Sequence, residues 1–335
     1  MQAPILVVGG AGYIGSHMVK QLRQAGYAVA VVDDLSSGRR EAVLGAPLHV
    51  GDIGDAAFVS ALLAQLRPAA VMHFASFIQV GESVADPGKY YRNNVTATQV
   101  LLDAMRAQGI DRFIFSSTAA IFGDPQYTPI DEAHPKAPIN PYGRSKWFVE
   151  QMLDDYDRAY GLKSVCLRYF NAAGADPEGE LGECHEPETH LIPLILQVAS
   201  GRRPHITVYG EDYPTPDGTC IRDYIHVSDL CQAHLLALQQ LLAGGGSARY
   251  NLGNGNGYSV REVIAAARRV SGHPIPVQTG PRRPGDPPVL VADARAARQV
   301  LGWQPRHADL DTILAHAWAW EQRHGAWVKC RQDRP

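Results

Sequence analysis

The 335-residue sequence predicts a doubly wound α/β fold, a parallel sheet with helices on both faces, followed by a smaller mixed α/β part. Three observations carry this reading. Short β-branched apolar runs alternate with helical patterns through the first half. A glycine triplet, Gly9, Gly12 and Gly15, stands between the first such run and the first helix. Beyond Phe170 the alternation gives way to a stretch rich in Gly, Pro and acidic residues.

The elements follow in order. Residues 5–8 form a strand, 13–25 a helix, 28–32 a second strand and 48–50 a third. A helix over 56–66 leads to a strand over 70–74, and a longer helix over 89–107 to a strand over 112–115. A helix over 142–160 precedes the strand 164–168. Near-continuous apolar strands of this kind are covered on both faces, because alternation of polar and apolar residues is missing. The division falls at 1–170, a dinucleotide-binding domain, and 171–335, a substrate domain. Helices near 230–242 and 260–270 belong to the second part, and some of its segments are expected to pack back on the first.

Composition narrows the function. Hydrophobic residues are 45% and charged residues 19% of the chain, enough to bury a large core. The net charge is −3 and no Lys/Arg-rich face occurs, which argues against a nucleic-acid partner. The five cysteines (Cys166, Cys184, Cys220, Cys231 and Cys330) are odd in number and lack C-x-x-C spacing, so reduced thiols in a cytoplasm are expected. No apolar run is long enough to span a bilayer, and the N-terminus enters a strand without a signal segment.

The triplet permits a tight turn and close backbone approach to a pyrophosphate, with the helix N-terminus supplying free N–H groups. Asp33 ends the second strand, where a carboxylate can accept from the adenosine ribose hydroxyls. With Asp34 it repels a 2′-phosphate, which favours NAD over NADP; Arg39 and Arg40 read as solvated loop charges. Asp52, in Gly51-Asp52-Ile53 after the third strand, is placed to accept from the adenine amino group.

Tyr142 and Lys146 are four apart at the start of a helix and share a face. A phenol with a pKa of about 10 needs help to act as a base at neutral pH, and the lysine cation is expected to supply it by favouring the phenolate. Thr118, ending Ser116-Ser117-Thr118 at the carboxyl edge of a strand, can hydrogen-bond the hydroxyl that Tyr142 deprotonates.

GGAGYIGSH, VVDDLSSG, GDI, HFASFIQVGES, RNNV, FIFSSTAAIFG, NPYGRSK, LRYFNAAGA, GTCIRDYIHV and YNLGNG occur in this order. Over essentially its whole length the chain resembles the UDP-glucose 4-epimerases of the extended short-chain dehydrogenase/reductase family. The resemblance implies a Rossmann-like fold, bound NAD, a UDP-sugar substrate and a transient 4-keto sugar. It implies that Tyr13, Ile14, Ser37, Gly38, Ile53 and Asn94 join the residues above along the cofactor. Phe74, Ala75, Tyr142, Lys146 and Tyr169 would meet its nicotinamide end. Many family members continue HFA with Gly-Leu-Lys, whose lysine touches the cofactor ribose; here Ser76-Phe77-Ile78 stands instead and that contact is absent. For the nucleotide sugar the resemblance points to Thr118, Asn171, His190, Leu191, Thr207, Tyr209, Arg222, Arg283 and Asp286. Leu290 falls where the family often has a bulky tyrosine that excludes N-acetyl sugars. A homodimer through helices matching 89–107 and 142–160 is a further implication.

Other readings weigh less. A 4,6-dehydratase places an acidic pair after the strand-end Thr, where this chain has Ala119-Ala120. A non-catalytic dinucleotide sensor has no need of Thr118, Tyr142 and Lys146 together. A net dehydrogenase and an epimerase acting on N-acetylated UDP-sugars remain as alternatives. Cys184, His185, Glu188 and His190 crowd together, but their spacing fits no common zinc pattern and Pro187 interrupts them. No metal is expected, and the segment reads as a loop closing over substrate.

Overall fold

A computed structural model describes residues 3–283 and 285–332, with side chains of the last helix as far as Arg323. The first half runs β1 (Ile5–Val8), α1 (Tyr13–Gln24), β2 (Val29–Asp33), β3 (Leu48–Val50), α2 (Ala56–Leu66) and β4 (Ala70–His73). It continues through α3 (Val80–Ala85), α4 (Pro87–Tyr90), α5 (Ala97–Ala107), β5 (Arg112–Thr118), α6 (Pro141–Tyr160) and β6 (Lys163–Tyr169). The second half contributes β7 (Asn171–Ala173), α7 (Leu191–Ala199), β8 (Ile206–Tyr209), β9 (Ile221–His226), α8 (Val227–Leu242) and β10 (Ala248–Leu252). After these come β11 (Gly257–Ser259), α9 (Val260–Ser271), β12 (Val277–Gly280), β13 (Val289–Leu290), α10 (Arg295–Val300) and α11 (Leu310–Gln332).

Seven parallel strands form the main sheet in the order β3-β2-β1-β4-β5-β6-β10. Strand order reverses between β1 and β4, and a crevice opens at such a switch point beyond the carboxyl ends of the strands. The central strands are largely apolar because both faces are covered. Val7, Val31 and Met72 pack with Met18 and Leu22 of α1 and with Leu230 and Leu238 of α8. On the other face Leu6, Val71 and Phe113 pack with Leu63, Leu101, Met105 and Val149 of α2, α5 and α6. The edge strand β10 comes from the second half and aligns Leu252 with Tyr169 of β6.

Past β6, β9 pairs with β11 and β13 over its first residues and with β7 over its last, while β8 and β12 form a two-stranded sheet. Ile195, Val263, Ile313 and Trp318, from α7, α9 and α11, fill the core of this part. α9 begins with a reciprocal capping box between Ser259 and Glu262.

One element departs from expectation. The helix expected over 89–107 is broken into α4, a π-type turn over Tyr91–Thr96, and α5. The wider turn holds Asn94, which is buried and donates to Phe77 O and Ser145 Oγ while accepting from Phe77 N. Its side chain thus fastens the loop after β4 to α6, a contact that no helical periodicity announces.

A buried charge pair lies under the catalytic edge. Arg168 of β6 donates to both Glu150 oxygens, at 3.0 and 2.6 Å, and Ser117 Oγ donates to Glu150 at 2.5 Å. Neither charged side chain is more than 4% exposed. Glu150→Ala would strand a guanidinium in the core, a loss of about 3–5 kcal/mol in denaturant unfolding. A loss below about 1 kcal/mol, the worth of a surface pair, would refute this view of the core.

Candidate active site

The glycine turn is dictated by space. A Cβ on Gly9 would sit 2.5 Å from Ala75 N, and one on Gly15 would sit 2.1 Å from Gly9 O. Gly12 is the N-cap of α1, makes no side-chain cap bond, and the first helical turn carries no acid. The helix therefore presents bare N–H groups and uncompensated positive potential to the crevice. Asp33 braces the turn: Oδ2 accepts from Ala11 N and Oδ1 from Leu35 N, each at 2.9 Å. Burial pushes its carboxyl pKa upward, against the two backbone hydrogen bonds that pull it down. A bare phosphate-sized turn, a free helix end and a carboxylate at the end of β2 together fit a dinucleotide.

The other residues expected along the cofactor are spread around this turn. A Cβ on Gly38 would press on Ala11 and on Asp33 Oδ1 at 2.8 Å, so Gly38 too is required by close packing. Asp34 and Ser37 are exposed, and Asp34 Oδ1 accepts from Ser36 N and Oγ. Asp52 closes its own turn onto Gly54 N at 2.7 Å, with Ile53 buried beside it. Tyr13 donates to Gly174 O at 2.7 Å and Ile14 packs against the core. Asn94 is committed to Phe77 and Ser145, which makes it a support of the loop carrying Phe74 and Ala75.

At the carboxyl edge of β5 and the start of α6 the chemistry-bearing residues converge. Asn140 caps α6 through Gly143 N, Pro141 opens it, and Tyr142 and Lys146 follow on its buried face. Thr118 Oγ1 accepts from Ala120 N at 3.1 Å, which leaves its own proton free to be donated toward Tyr142. Burial pushes the Tyr142 phenol above its ordinary range and the Thr118 bond opposes this. Burial also pulls the Lys146 ammonium down to about 7. Lys146 Nζ donates to Ser76 Oγ at 2.7 Å and to Ser116 O at 2.9 Å.

The lysine is turned to Ser76 and Ser116, and among the neighbours of the Tyr142 phenol it is Thr118 that pulls its pKa down against burial. Sequence reasoning missed Ser76 as a partner, although its signal was present: a hydroxyl in the place of the family's Gly-Leu-Lys. It also missed Ser116, whose Oγ lies 3.0 Å from Tyr169 OH and so orients that ring. Phe74 packs at 5.0 Å from the His234 ring. His73 is buried and reaches Thr98 Oγ1 at 3.2 Å.

The residues expected to hold the nucleotide sugar fall into separate groups. Arg222 of β9 donates to Ile221 O and Pro287 O and lies 3.8 Å from Asp286. Arg283 donates to Asp286 at 2.8 Å and stacks 5.1 Å from the Tyr209 ring centre. Thr207 shares β8 with Tyr209. Leu290 is in register with Arg222 and packs against Ala119, Ile121 and Phe122, behind Thr118. Asn171 opens β7 directly after the β6 edge and pairs with Tyr224. His190 is the N-cap of α7, Leu191 its first residue, and the His190 ring is in contact with Glu183.

A dinucleotide crevice beside a Thr/Tyr/Lys cluster defines an oxidoreductive enzyme of the short-chain dehydrogenase/reductase type. The chain belongs to the NAD-dependent epimerase/dehydratase family, whose model matches residues 5–253. It is 53% identical over 319 residues to the UDP-glucose 4-epimerase of Rhizobium leguminosarum bv. trifolii, spanning 95% of this chain and 97% of that protein. The crystal structure of UDP-glucose 4-epimerase from Brucella ovis in complex with NAD superposes with a TM-score of 0.92 at 52% identity, covering 95% and 98% of the two chains. The UDP-Glc/GlcNAc 4-epimerase of Campylobacter jejuni superposes with a TM-score of 0.84 at 43% identity, covering 96% and 100%.

The depressed lysine has a sign that can be tested. Its folded-state pKa of about 7 lies below the ordinary 10.5, so folding disfavours the charged form. The resulting destabilisation is complete below pH 7 and fades as pH rises toward 10.5. In cofactor-free protein, Lys146→Met should therefore raise Tm more at pH 6.5 than at pH 10. Equal gains at both values in thermal melts would show that desolvation of the ammonium is not a stability cost.

Proposed function

We propose that this chain interconverts UDP-galactose and UDP-glucose through a transient 4-keto sugar, with NAD as its tightly held cofactor. The observation that carries this is the convergence of Thr118, Tyr142 and Lys146, all buried, at the carboxyl edge of β5 and the start of α6 beside a dinucleotide crevice. Gly9, Gly12, Gly15 and Asp33 would hold NAD, which when bound accepts hydride from sugar C4 and returns it to the opposite face.

The chain's own residues handle the proton and the grip. Tyr142, at the positive end of α6, takes the proton of the sugar 4-hydroxyl and later gives it back. Thr118 orients that hydroxyl and stabilises the phenolate by donating to it. Lys146, held between Ser76 and Ser116, places a donor and a titratable charge on the same helical face. Arg222 and Arg283 supply forked donors to a diphosphate, and Asp286 between them accepts from a ribose. Ala119 and Ala120 bring no acid or base beside Thr118, which favours return of the hydride over elimination of water.

Purified enzyme should convert UDP-galactose to UDP-glucose without added NAD, followed by NMR at C4. Tyr142→Phe should lower kcat by about a hundred- to ten-thousand-fold, with UDP-sugar binding little changed. Thr118→Val should cost less, since the base remains. Near-normal turnover in Tyr142→Phe, or a need for one fresh NAD per turnover, would point to another chemistry.

Leu290 sets the second test. It is shorter than tyrosine and half-buried beside Phe122, so the sugar C2 side retains room. We expect glucose/galactose as the main pair and slower turnover of UDP-N-acetylglucosamine. Leu290→Tyr should cut the N-acetyl kcat/KM by roughly 10- to 100-fold relative to the main pair, the scale of size discrimination in a pocket. An unchanged ratio would return Leu290 to a packing role.

The family resemblance and the exposed Phe148, Tyr160 and Val84 on and near α6 support a homodimer through the α5/α6 side. Free Cys166, Cys184, Cys220 and Cys231 support a cytoplasmic setting. Among the described residues no helix is long and apolar enough to cross a membrane.

A further inference from the structure

The segment between β7 and α7 contains a cluster of which only His190 figures among the residues that the family resemblance assigns to the nucleotide sugar. Glu183, His185, Glu188 and His190 each direct one donor atom inward, and all four atoms lie within 4.8 Å of one another. Cys184, counted with this group in the sequence, is not part of it, and Glu183, which was not counted, is. We propose that these four residues bind one divalent transition-metal ion, zinc being the ion their donors favour, and that the ion fixes the 183–190 loop beside the cofactor turn. The metal site is independent of the proposed reaction; only its consequence for cofactor retention rests on that reading.

Geometry favours coordination. Both histidines present Nδ1, and both carboxylates present Oε1. His185 Nδ1 is 3.1 Å from Glu183 Oε1, and Glu188 Oε1 is 3.9 Å from each imidazole nitrogen. His190 Nδ1 is in direct contact with Glu183 Oε1. A tetrahedral ion with bonds of about 2.0–2.2 Å needs ligand atoms roughly 3.4 Å apart, so small rotations of these side chains suffice. His185 Nδ1 is buried and makes no hydrogen bond, though it lies in ion-pair range of both carboxylates. A buried nitrogen aimed at two carboxylates without a hydrogen bond is one that a metal would satisfy.

The surroundings are already organised. Glu188 Oε1 is pinned by the N–H groups of Thr189 and His190, at 2.7 and 2.9 Å. Trp320 Nε1 donates to Glu183 O at 3.0 Å, holding that residue from α11. Both glutamate side chains are only 5% exposed, while an adjoining open cavity of about 260 Å³, reaching Arg39 and Arg202, gives an ion a way in. Two imidazoles and two carboxylates suit zinc or its first-row neighbours better than magnesium or calcium, which prefer all-oxygen shells.

A nearby acidic group supplies the contrast. Asp176, Glu178 and Glu180 also converge, but Lys20 Nζ sits among them at 2.7, 2.6 and 2.7 Å. That trio has its cation in the chain. In the 183–190 cluster the counter-charges are the two imidazoles themselves, which a metal would meet in their neutral form, and the cluster lies against Tyr13, whose ring is 6.4 Å from that of His185. Tyr13 begins α1, so an ion here would tie the loop to the helix end that faces the dinucleotide.

The test uses untagged, full-length holoenzyme, treated with chelator, dialysed and titrated with Zn²⁺ by calorimetry, with metal content read by mass spectrometry. One ion per chain with a micromolar or lower Kd is expected, together with a rise in Tm and slower loss of NAD on dilution. Co²⁺ in its place should give the intense visible bands of a tetrahedral N/O site. His185→Asn and the double variant Glu183→Gln/His190→Asn should lose the ion, while Glu178→Gln keeps it. Circular dichroism checks that the variants fold. Substoichiometric Zn²⁺ in the wild type, or loss in Glu178→Gln with retention in both cluster variants, would overturn the site. An inactive enzyme that still binds one ion would instead count against the proposed reaction. Metal bound as expected with NAD loss unchanged would remove the link to the cofactor.

Discussion

The close contact between the turn after β1 and the loop after β4 is the constraint on which the rest depends. Gly9 touches Ala75 N, and Gly15 touches Gly9 O, at distances that admit no Cβ. That closeness brings the start of α1 against the sheet with its N–H groups free. Asp33 then holds the turn from the side through Ala11 N. The loop after β4 is fixed in turn by Asn94, which bonds Phe77 and Ser145, and Ser145 lies on the same helix as Tyr142 and Lys146. Cofactor turn and catalytic helix are thus connected through one buried carboxamide. A buried polar group fully paired in this way fixes relative position more than it adds net stability.

The catalytic edge is assembled at a cost to the fold. Lys146 is buried with a neutral hydroxyl and a carbonyl as its hydrogen-bond partners, and burial pulls its pKa to about 7. Tyr142 is buried too, and burial drives its phenol the opposite way. Both shifts disfavour charge, and both groups need charge at some point in a proton transfer. Deep below, Glu150 is paired with Arg168 and pulls the lysine's pKa upward, but burial outweighs it. A site of this kind is poised for a ligand that brings its own charge and excludes water.

Six strands of the main sheet were legible because most of them are buried on both faces and read as apolar runs, whereas the edge strand β10, Ala248–Leu252, breaks that pattern with Arg249 and Asn251 and was not. Gly9, Gly12, Gly15, Asp33, Tyr142 and Lys146 were legible because backbone and spacing demand them. The π-type turn at Asn94 was not, since its cause is a contact between residues 94 and 77 and not a local propensity. The direction of the tyrosine shift was not legible either. A four-residue helical spacing puts Lys146 beside Tyr142, but only the packing shows that its protons go to Ser76 and Ser116. The crowding of His185, Glu188 and His190 was legible, but the place of Glu183 among them was not. These residues lie on an irregular loop, where the spacing Glu-x-His-x-x-Glu-x-His has no fixed geometry until the backbone is known.

The division of labour between the two ends of the substrate site has a mechanistic consequence. Arg222, Arg283 and Asp286 are tied to one another and to the β9–β13 sheet, a firm grip suited to a diphosphate and ribose. Between that grip and Thr118 the packing is apolar: Leu290 against Ala119, Ile121 and Phe122. Nucleotide contacts are identical for both epimers and for the 4-keto sugar, so they hold every species equally and do not bias the equilibrium. An apolar wall can offer few directional bonds to a hexose, which would leave a keto sugar free to turn its other face while the nucleotide stays bound. An epimerase needs both properties at once. A wall that hydrogen-bonded one hexose face strongly would lower the ground state of one epimer and slow the reverse reaction. Sparse polarity of the kind found around Leu290 suits a site where a single tyrosine is to serve both directions.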